Sequence, residues 1–335
     1  MGRIVRLPPE AVEKIAAGEV IDRPAAVVKE LLENAFDAGA SYVVVDLAGG
    51  GTEAVTVADD GCGMDPEDAR LAFSRHATSK IRGAEDLWRV TTLGFRGEAL
   101  ASIGAVARVS LVTRPADSLQ GTAVEVEGGR IVGVGPAGCP PGTTVRVRDL
   151  FFNTPARRKY LRAPGAEAGA ALDTAARLAL GYPGVAVAAR YNGREVWRTP
   201  GTGDTREVVA ALFGGALAAK LLPVEAADGP VSVRGFAGPP EVSRSNRRHQ
   251  VLLVNNRSVR VPGLLGPVQE AYRGLLPAGR FPVVILWLTV PPEEVDVNVH
   301  PAKLEVRLLR ERMVAAMVYQ ALRRALRGGG VPAVP

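Results

Sequence analysis

Residues 23–40, RPAAVVKELLENAFDAGA, decide how the rest of the chain is interpreted. A proline near the start and a glycine after the last apolar residue predict a helix over residues 24–38. At 100° per residue, Glu30, Asn34 and Asp37 fall on one side and the large apolar residues on the other. A solvated surface helix is the simplest explanation, but Asn and Asp are poor helix-interior residues. The alternative is a helix whose Glu and Asn, one turn apart, hold a water molecule and a magnesium-bound phosphate.

A glycine-rich turn, ADDGCGMD, follows at residues 58–65. Two carboxylates come directly before Gly61, and Gly63 follows two residues later. Glycine allows the backbone to approach a flat ligand closely, and the short Asp59 side chain is suited to accept a hydrogen bond from an exocyclic amine such as that of adenine. A plain strand-to-helix turn is the alternative.

Residues 91–104, TTLGFRGEALASIG, place Gly94 and Gly97 on either side of Arg96. Such a loop predicts backbone amides that cradle phosphate ahead of a helix. The pattern G-x-x-x-x-G-K-[ST] is absent from the chain. A G-x-G-x-x-G occurs at residues 133–138, but Cys-Pro-Pro-Gly follows it and prevents a helix from starting there. The histidines and cysteines share no metal-ligand spacing.

The composition excludes several classes of protein. The chain has 335 residues, which predicts two domains, and 47% hydrophobic residues, which excludes a disordered chain. Two cysteines make no disulfide framework and indicate a reducing, cytoplasmic setting. Its longest apolar run, residues 281–290, is shorter than the ~18–20 residues that span a bilayer.

The net charge of +6 lies entirely in residues 204–335, which hold 17 Lys and Arg against 11 Asp and Glu. A basic surface attracts polyanions, and nucleic acid is the usual one. Solubility is the competing explanation for the same charge.

Periodicity predicts an α+β protein with a linker near residues 199–205. Strands are predicted at residues 42–47, 54–58, 107–113, 123–127, 144–149, 184–190, 193–198, 231–237, 250–255 and 282–290. Helices are predicted at residues 10–20, 24–38, 66–74, 165–181, 206–213, 264–274 and 309–327.

Seven motifs then occur in a characteristic order: KELLENAFDAGA, DDGCGM, RHATSK, LGFRGEAL, PGTTV, FFNTPARRKYL and DVNVHPAKLEVR. Together they resemble the N-terminal region of the MutL family of DNA mismatch-repair proteins, which belongs to the GHKL ATPases. The resemblance implies a GHKL (Bergerat) α/β sandwich followed by a smaller α/β domain similar to part of a ribosomal protein. The resemblance implies an ATPase domain at residues 1–203, with a dimerisation arm at 1–20 and an ATP lid at 75–98. A second domain is implied at residues 204–328, and residues 329–335 begin a linker.

The resemblance also implies a weak, magnesium-dependent ATPase with ATP and Mg²⁺ as cofactors. Glu30 corresponds to the general base, Asn34 to the magnesium ligand, and Lys303 to a second-domain lysine that reaches the γ-phosphate. The remaining nucleotide-binding positions are Asp37, Asp59, Gly61, Gly63, Met64, Thr78, Ser79, Lys80, Gly94, Phe95, Arg96, Gly97, Glu98, Ala99, Leu100 and Thr143. One departure is Asp60, where the family usually has Asn; it is expected to add negative charge near the nucleotide.

A basic groove for DNA is implied as well, with phosphate contacts and no sequence readout. Its candidates are Arg157, Arg158, Arg244, Arg247, Arg248, Arg257 and Arg260, with Lys159, Arg162 and Arg273 as further basic neighbours.

The implied function is a mismatch-repair matchmaker in which ATP binding and slow hydrolysis drive N-terminal dimerisation. Its implied partners are DNA, a second copy of the chain, the mismatch-recognition protein MutS, and a nicking endonuclease or helicase, in the cytoplasm at the nucleoid. Two alternatives remain: a DNA-binding scaffold with an inactive nucleotide site, and the ATPase subunit of a type II topoisomerase. The chain shows no metal-binding motif of the kind carried by DNA-nicking family members, and its length fits the ATPase half of a longer protein.

Overall fold

The computed structural model describes residues 17–18, 20–78, 97–296 and 305–330. The chain divides into two compact units, Met1–Asp204 and Thr205–Pro335. Each unit has its own sheet and its own buried apolar core. Within the described ranges, none of the helices combines the length and the hydropathy that a bilayer crossing requires.

The first unit contains five described helices and eight strands. The helices are α1 (Pro24–Asp37), α2 (Pro66–Leu71), α3 (Ala99–Val106), α4 (Pro155–Lys159) and α5 (Pro164–Gly181). The strands are β1 (Tyr42–Ala48), β2 (Ala54–Asp59), β3 (Arg108–Arg114), β4 (Gly121–Glu127), β5 (Arg130–Ala137), β6 (Gly142–Arg148), β7 (Ala186–Tyr191) and β8 (Arg194–Arg198).

These strands form one sheet in the order β5-β4-β3-β6-β2-β1-β7-β8. Strand β1 is antiparallel to β2 and parallel to β7. Its alternate residues Val43, Val45 and Leu47 are fully buried, so one face of the sheet packs against the helices. Helix α1 also packs against α5. Tyr182, the residue that follows α5, stacks on Phe36 of α1, with 4.3 Å between the ring centroids. This packing fixes the rotation of α1 and therefore decides which of its side chains stay accessible.

The second unit combines a five-stranded sheet with helices. Its helices are α6 (Thr205–Phe213), α7 (Gly215–Lys220), α8 (Pro262–Ala271) and α9 (Glu311–Gly328). Its strands are β9 (Leu222–Asp228), β10 (Val231–Ala237), β11 (Gln250–Val254), β12 (Arg257–Ser258), β13 (Val284–Thr289), β14 (Val295–Asp296) and β15 (Arg307–Leu308). The sheet order is β12-β11-β13-β10-β9, and β14 pairs with β15 separately. Strands β11 and β13 run parallel with α8 between them in the chain.

The mixed α+β architecture predicted from the sequence is confirmed, as are most of its elements. The sequence did not predict strands β5, β9, β12, β14 and β15 or the short helices α4 and α7. Strand β5 lacks the usual signal because Gly133, Gly135 and Pro136 interrupt its apolar residues. It contains most of the G-x-G-x-x-G pattern, which therefore does not open a helix. The predicted helix at residues 66–74 ends earlier, at Leu71.

Candidate functional site

Helix α1 presents the polar face that its sequence predicts. Glu30, Asn34 and Asp37 are all partly exposed, whereas Leu31 and Leu32 on the other side are buried at 3% and 0% exposure. The polar face is not a fully solvated one, because each of its three members retains only intermediate exposure. A carboxylate, an amide and a second carboxylate are thus held on one rigid surface.

Lys29 links two carboxylates of this helix. Its Nζ lies 2.9 Å from Oε1 of Glu30 and 3.0 Å from Oε1 of Glu33, which is itself buried. Burial by itself lowers the pKa of Lys29, but the two carboxylates outweigh it and the pKa is raised. Lys29 therefore stays charged at neutral pH and holds the Glu30 side chain in place.

Asp59, at the end of β2, is partly buried and accepts two backbone hydrogen bonds. Its Oδ1 accepts from the amide of Gly61 at 2.9 Å, and its carboxylate also accepts from the amide of Thr143. Burial raises the pKa of Asp59, and these two hydrogen bonds oppose that rise only in part. Asp59 and Thr143 are direct partners in the β2–β6 ladder, so strand register brings them together.

The glycine turn after Asp59 rests against the end of α1. The amide of Cys62 donates to the carbonyl of Ala38 at 3.0 Å. A Cβ atom on Gly61 would lie 2.8 Å from the Cβ of Ala38. The turn therefore contacts the C-terminal end of the helix that carries Glu30 and is hydrogen-bonded to it.

Asp60, next to Asp59, is held by the start of β1. Its Oδ1 accepts hydrogen bonds from the amides of Ser41 and Tyr42, both at 2.8 Å. Burial opposes ionisation, but the hydrogen bonds from Ser41 and Tyr42 prevail and hold the pKa of Asp60 below its usual value. Asp60 therefore stays ionised, and its negative charge also contributes to the raised pKa of neighbouring Asp59.

Thr113 is a site residue that sequence reasoning missed. It is fully buried on β3, and its Oγ1 accepts from the amide of Met64 at 2.9 Å. The same atom lies 2.9 Å from Oγ1 of Thr143 and 3.1 Å from the carbonyl of Gly142. One hydroxyl thus joins the glycine turn to the strand that carries Thr143. Nothing in the local sequence marks Thr113, because a threonine in a strand is ordinary.

Two glycines in this region are required by geometry. Gly63 has φ +69°, and a Cβ there would lie 2.2 Å from the carbonyl oxygen of Arg114. Gly142 has φ +110°, and its Cβ would lie 2.0 Å from the carbonyl oxygen of Asp59. Both contacts are with backbone atoms, so no side-chain rotation relieves them.

The predicted phosphate loop is described only at its end. Gly97 and Glu98 lead directly into α3, where Ala99 and Leu100 form the first turn. His76 Nδ1 lies 3.3 Å from Glu98 Oε1. Six of the proposed nucleotide contacts lie outside the described residues: Ser79, Lys80, Gly94, Phe95, Arg96 and Lys303.

Two larger predicted segments are also described only in part. Of the proposed arm, residues 17, 18 and 20 are described, and of the proposed lid, residues 75–78 and 97–98. Thr78, on the lid, is partly exposed.

The basic residues differ in their availability for DNA. Arg247 and Arg248 lie on an exposed turn before β11, and Arg260 is exposed as well. Arg257, on β12, is partly exposed. The guanidinium of Arg244 instead donates to the carbonyl of Val242 at 3.0 Å.

Other arginines are engaged by acidic groups or by the protein interior. Arg273 pairs with Glu270 at 3.0 Å, and Arg162 pairs with buried Glu167 at 3.2 Å. Arg157 is partly exposed, but its Nη1 is buried and the guanidinium packs against Gly18. Adjacent Arg158 is exposed, so it is the more accessible of the two for a DNA phosphate.

Comparison with known proteins decides the family. Residues 22–127 match the family described as histidine kinase-, DNA gyrase B-, and HSP90-like ATPase. Residues 209–327 match the family described as DNA mismatch repair protein, C-terminal domain. The DNA mismatch repair protein MutL of Desulforudis audaxviator is 54% identical over 326 residues, which cover 97% of this chain and 58% of that protein. The chain belongs to the MutL family. The MutL protein of Symbiobacterium thermophilum is 55% identical over 97% of this chain and 51% of its own length, so the chain spans about half the length of these curated relatives.

Solved structures agree with the MutL assignment. The crystal structure of the N terminal domain of a DNA repair protein matches with a TM-score of 0.82 and 26% identity, over 97% of this chain and all of that one. The Aquifex aeolicus MutL ATPase domain complexed with ADP matches with a TM-score of 0.64 and 27% identity, over 89% of this chain and 98% of that one. The first unit therefore has the GHKL ATPase fold of the MutL family.

Proposed function

We propose that this chain is the ATP-binding and ATP-hydrolysing region of a mismatch-repair matchmaker. The observation that carries the proposal is the attachment of the glycine turn to α1. The hydrogen bond from the amide of Cys62 to the carbonyl of Ala38 connects the turn after Asp59, which is proposed to bind adenine, to helix α1, which is proposed to act on phosphate. Family membership supports the same assignment.

The adenine end of the site is formed by Asp59 and Thr143. A partly buried carboxylate accepts well from an exocyclic amine, because few water molecules compete for it. Gly61, Gly63 and Met64 form the adjoining wall, and Thr113 fixes the Met64 amide. The backbone contacts around Gly63 and Gly142 fix the path of the turn and of the start of β6 beside Asp59.

The phosphate end combines α1 with the start of α3. Asn34 offers an amide oxygen, which is a ligand that Mg²⁺ accepts together with phosphate oxygens and water. Among the described residues there is no cluster of three or more His, Cys, Asp or Glu able to hold a metal, so the ion would be held through the nucleotide. When bound, magnesium neutralises phosphate charge. Backbone amides from Gly97 to Leu100 are proposed to complete the cradle, with Thr78, Ser79, Lys80, Gly94, Phe95 and Arg96 contributed by the lid.

Glu30 is proposed as the general base that orients and deprotonates the attacking water. Its carboxylate is partly exposed and positioned by Lys29, which suits a group that must exchange protons with water. Asp37 lies on the same face and is proposed to assist in the site. Lys303 is proposed to neutralise charge that develops on the γ-phosphate.

DNA, a second copy of the chain, MutS and a nicking endonuclease or helicase are the proposed partners. The basic charge of residues 204–335 supports the DNA role. The proposed location is the cytoplasm at the nucleoid, where these partners occur.

Replacement of Glu30 by Ala tests the catalytic assignment. We expect ATP hydrolysis to fall by about 100-fold or more, because a positioned base contributes about that factor, while ATP binding survives. Steady-state phosphate release and calorimetric titration with ATP measure the two properties. Wild-type turnover in the variant would contradict the role of Glu30.

The same titration separates the alternatives. An absence of binding at millimolar ATP in the wild-type chain would favour a DNA-binding scaffold with an inactive site. ATP-dependent strand passage with a cleavage subunit would favour a topoisomerase.

A further inference from the structure

A row of four side chains crosses the sheet of the first unit near the ends of its strands. Asp59 on β2 is the direct ladder partner of Thr143 on β6. Thr143 is also the partner of Thr113 on β3, and Thr113 is the partner of Thr122 on β4. Directly paired residues of antiparallel strands carry their side chains on the same face of the sheet. The four side chains therefore lie side by side, with the carboxylate of Asp59 at one end.

The hydroxyl of Thr113 makes three contacts that together fix the position of its proton. The amide of Met64 can only donate, so the Thr113 oxygen accepts from it at 2.9 Å. The carbonyl of Gly142 can only accept, so Thr113 donates its single proton to it at 3.1 Å. The remaining contact, 2.9 Å to Oγ1 of Thr143, then requires Thr143 to be the donor. A hydroxyl has one proton and two lone pairs, so this assignment satisfies all three contacts at once.

The opposite direction of the bond between the two threonines is less favourable. If Thr113 donated to Thr143, its oxygen would face the carbonyl oxygen of Gly142 at 3.1 Å with no proton between them. Thr113 is fully buried, and a polar contact left unsatisfied in the interior is costly. The geometry therefore favours donation from Thr143 to Thr113.

Both donors of Thr143 are consequently engaged within the protein. Its backbone amide donates to the Asp59 carboxylate, and its hydroxyl donates to Thr113. Thr143 is partly exposed, so the second lone pair of its Oγ1 remains for a ligand. An ionised Asp59 also offers lone pairs only. These two paired residues thus present hydrogen-bond acceptors to whatever binds beside them.

We propose that Thr113 is a positioning residue that selects the nucleotide base through Thr143. The proposal rests on the proposed function, because it takes Asp59 and Thr143 as the adenine end of the site. A 6-aminopurine has two amine protons, one for each acceptor. A 6-oxopurine would instead bring a carbonyl oxygen against two acceptors, and the unpaired polar groups would weaken its binding.

The experiment measures base selectivity as the dissociation constant of inosine triphosphate divided by that of ATP. The two nucleotides share ribose and triphosphate and differ at position 6 of the purine. Calorimetric titration gives both constants for wild type and for T113V, T113S, T143V and T113V/T143V. T122V is the matched control, because Thr122 is a buried threonine of the same row on the far side of Thr113. Urea unfolding checks that each variant is folded.

We expect T113V to lower the selectivity ratio by about 10-fold, which is the factor that one neutral hydrogen bond contributes. The released Thr143 hydroxyl can then turn its proton toward a 6-oxo group. T113S retains the hydroxyl and should keep a ratio close to that of wild type, as should T122V. A general disturbance of the glycine turn would weaken the binding of both nucleotides alike and leave the ratio unchanged.

The double variant tests whether Thr113 acts through Thr143. T143V alone should lower the ratio, and with the Thr143 hydroxyl removed the addition of T113V should change it no further. A second measurement needs no variant, because NMR reports the exchange of hydroxyl protons with water. In nucleotide-free wild type the Thr143 hydroxyl proton should exchange slowly, since it is donated to the buried Thr113.

The inference is overturned if T113V keeps the wild-type ratio, or if T122V lowers the ratio equally. It is also overturned if T113V lowers the ratio as much in the T143V background as it does alone, or if the Thr143 hydroxyl proton exchanges rapidly in wild type. Failure of the proposed function looks different. The wild-type chain would then bind neither nucleotide, while its Thr143 hydroxyl proton would still be protected.

Discussion

Asp59 meets two demands that conflict. Adenine recognition requires a carboxylate that is shielded from water, but shielding raises the pKa of Asp59 and disfavours its ionised form. A carboxyl group whose pKa is raised on folding contributes stability below its unfolded pKa, and that contribution is lost as the pH rises through the folded value. At neutral pH the protein therefore bears the cost of this carboxylate for the sake of its ligand.

D59N should separate stability from binding. The amide oxygen of Asn still accepts from Gly61 at no cost of charge burial, so we expect unfolding at pH 7 to need equal or more denaturant than in wild type. ATP affinity should fall by about 10–100-fold, because an amide NH₂ would face the adenine amine. Urea titration and calorimetry measure the two effects. A variant that is less stable at pH 7 but binds ATP normally would contradict both expectations.

The turn into β6 illustrates how an element can depend on one backbone position. Gly142 opens β6 at φ +110° and lies against the backbone of Asp59. The next residue, Thr143, completes the ladder pairing on which the site depends. Under the proposed function, stability and adenine binding are therefore linked through this turn.

G142A should weaken both properties. The unfavourable φ costs about 1–3 kcal/mol, and the clash with the Asp59 carbonyl adds to it. ATP affinity should fall as well, since the clash moves Asp59 away from Thr143. G135A on β5 is the control, because a Cβ there meets nothing within 4 Å, and it should change stability by less than about 0.5 kcal/mol. Equal effects of the two changes on urea unfolding would show that the clash is relieved.

The polar face of α1 was predictable because its evidence is local. Helical periodicity alone brings Glu30, Asn34 and Asp37 together, and the described helix places them as expected. Thr113 was not predictable, because its importance comes from Met64 and Thr143, which are distant in sequence.

Arg157 and Arg158 show a limit of residue type. Their basic neighbours in PARRK suggest DNA contacts for both, but the sequence does not reveal that one is exposed and the other has a buried Nη1. The family resemblance supplied roles that periodicity and spacing do not contain, above all those of Glu30 and Lys303.

The charge of the whole molecule is unevenly distributed along the chain. Residues 1–203 balance to zero, and the entire excess of +6 lies in residues 204–335. Within that excess, Arg273 lies 3.0 Å from Glu270, which offsets its charge locally. Arg247 and Arg248, on their exposed turn, are the better candidates for phosphate contacts.

The double variant R247A/R248A should bind duplex DNA more weakly and with less dependence on salt. Each lost phosphate contact lowers the slope of log affinity against log salt by about 1, so a decrease of about 2 is expected. Fluorescence anisotropy with a labelled duplex measures it. R273A is the control and should keep the wild-type slope. An unchanged slope in the double variant would remove this turn from the interface.

The pairing of Asp59 with Thr143 has a consequence for how the protein can evolve. A slip of one residue between β2 and β6 would turn one of the pair to the opposite face of the sheet. Under the proposed function, the choice of purine is therefore set when the strands align. A lineage can change the side chain that meets the base by one substitution, but the position of that side chain changes only with the strand alignment.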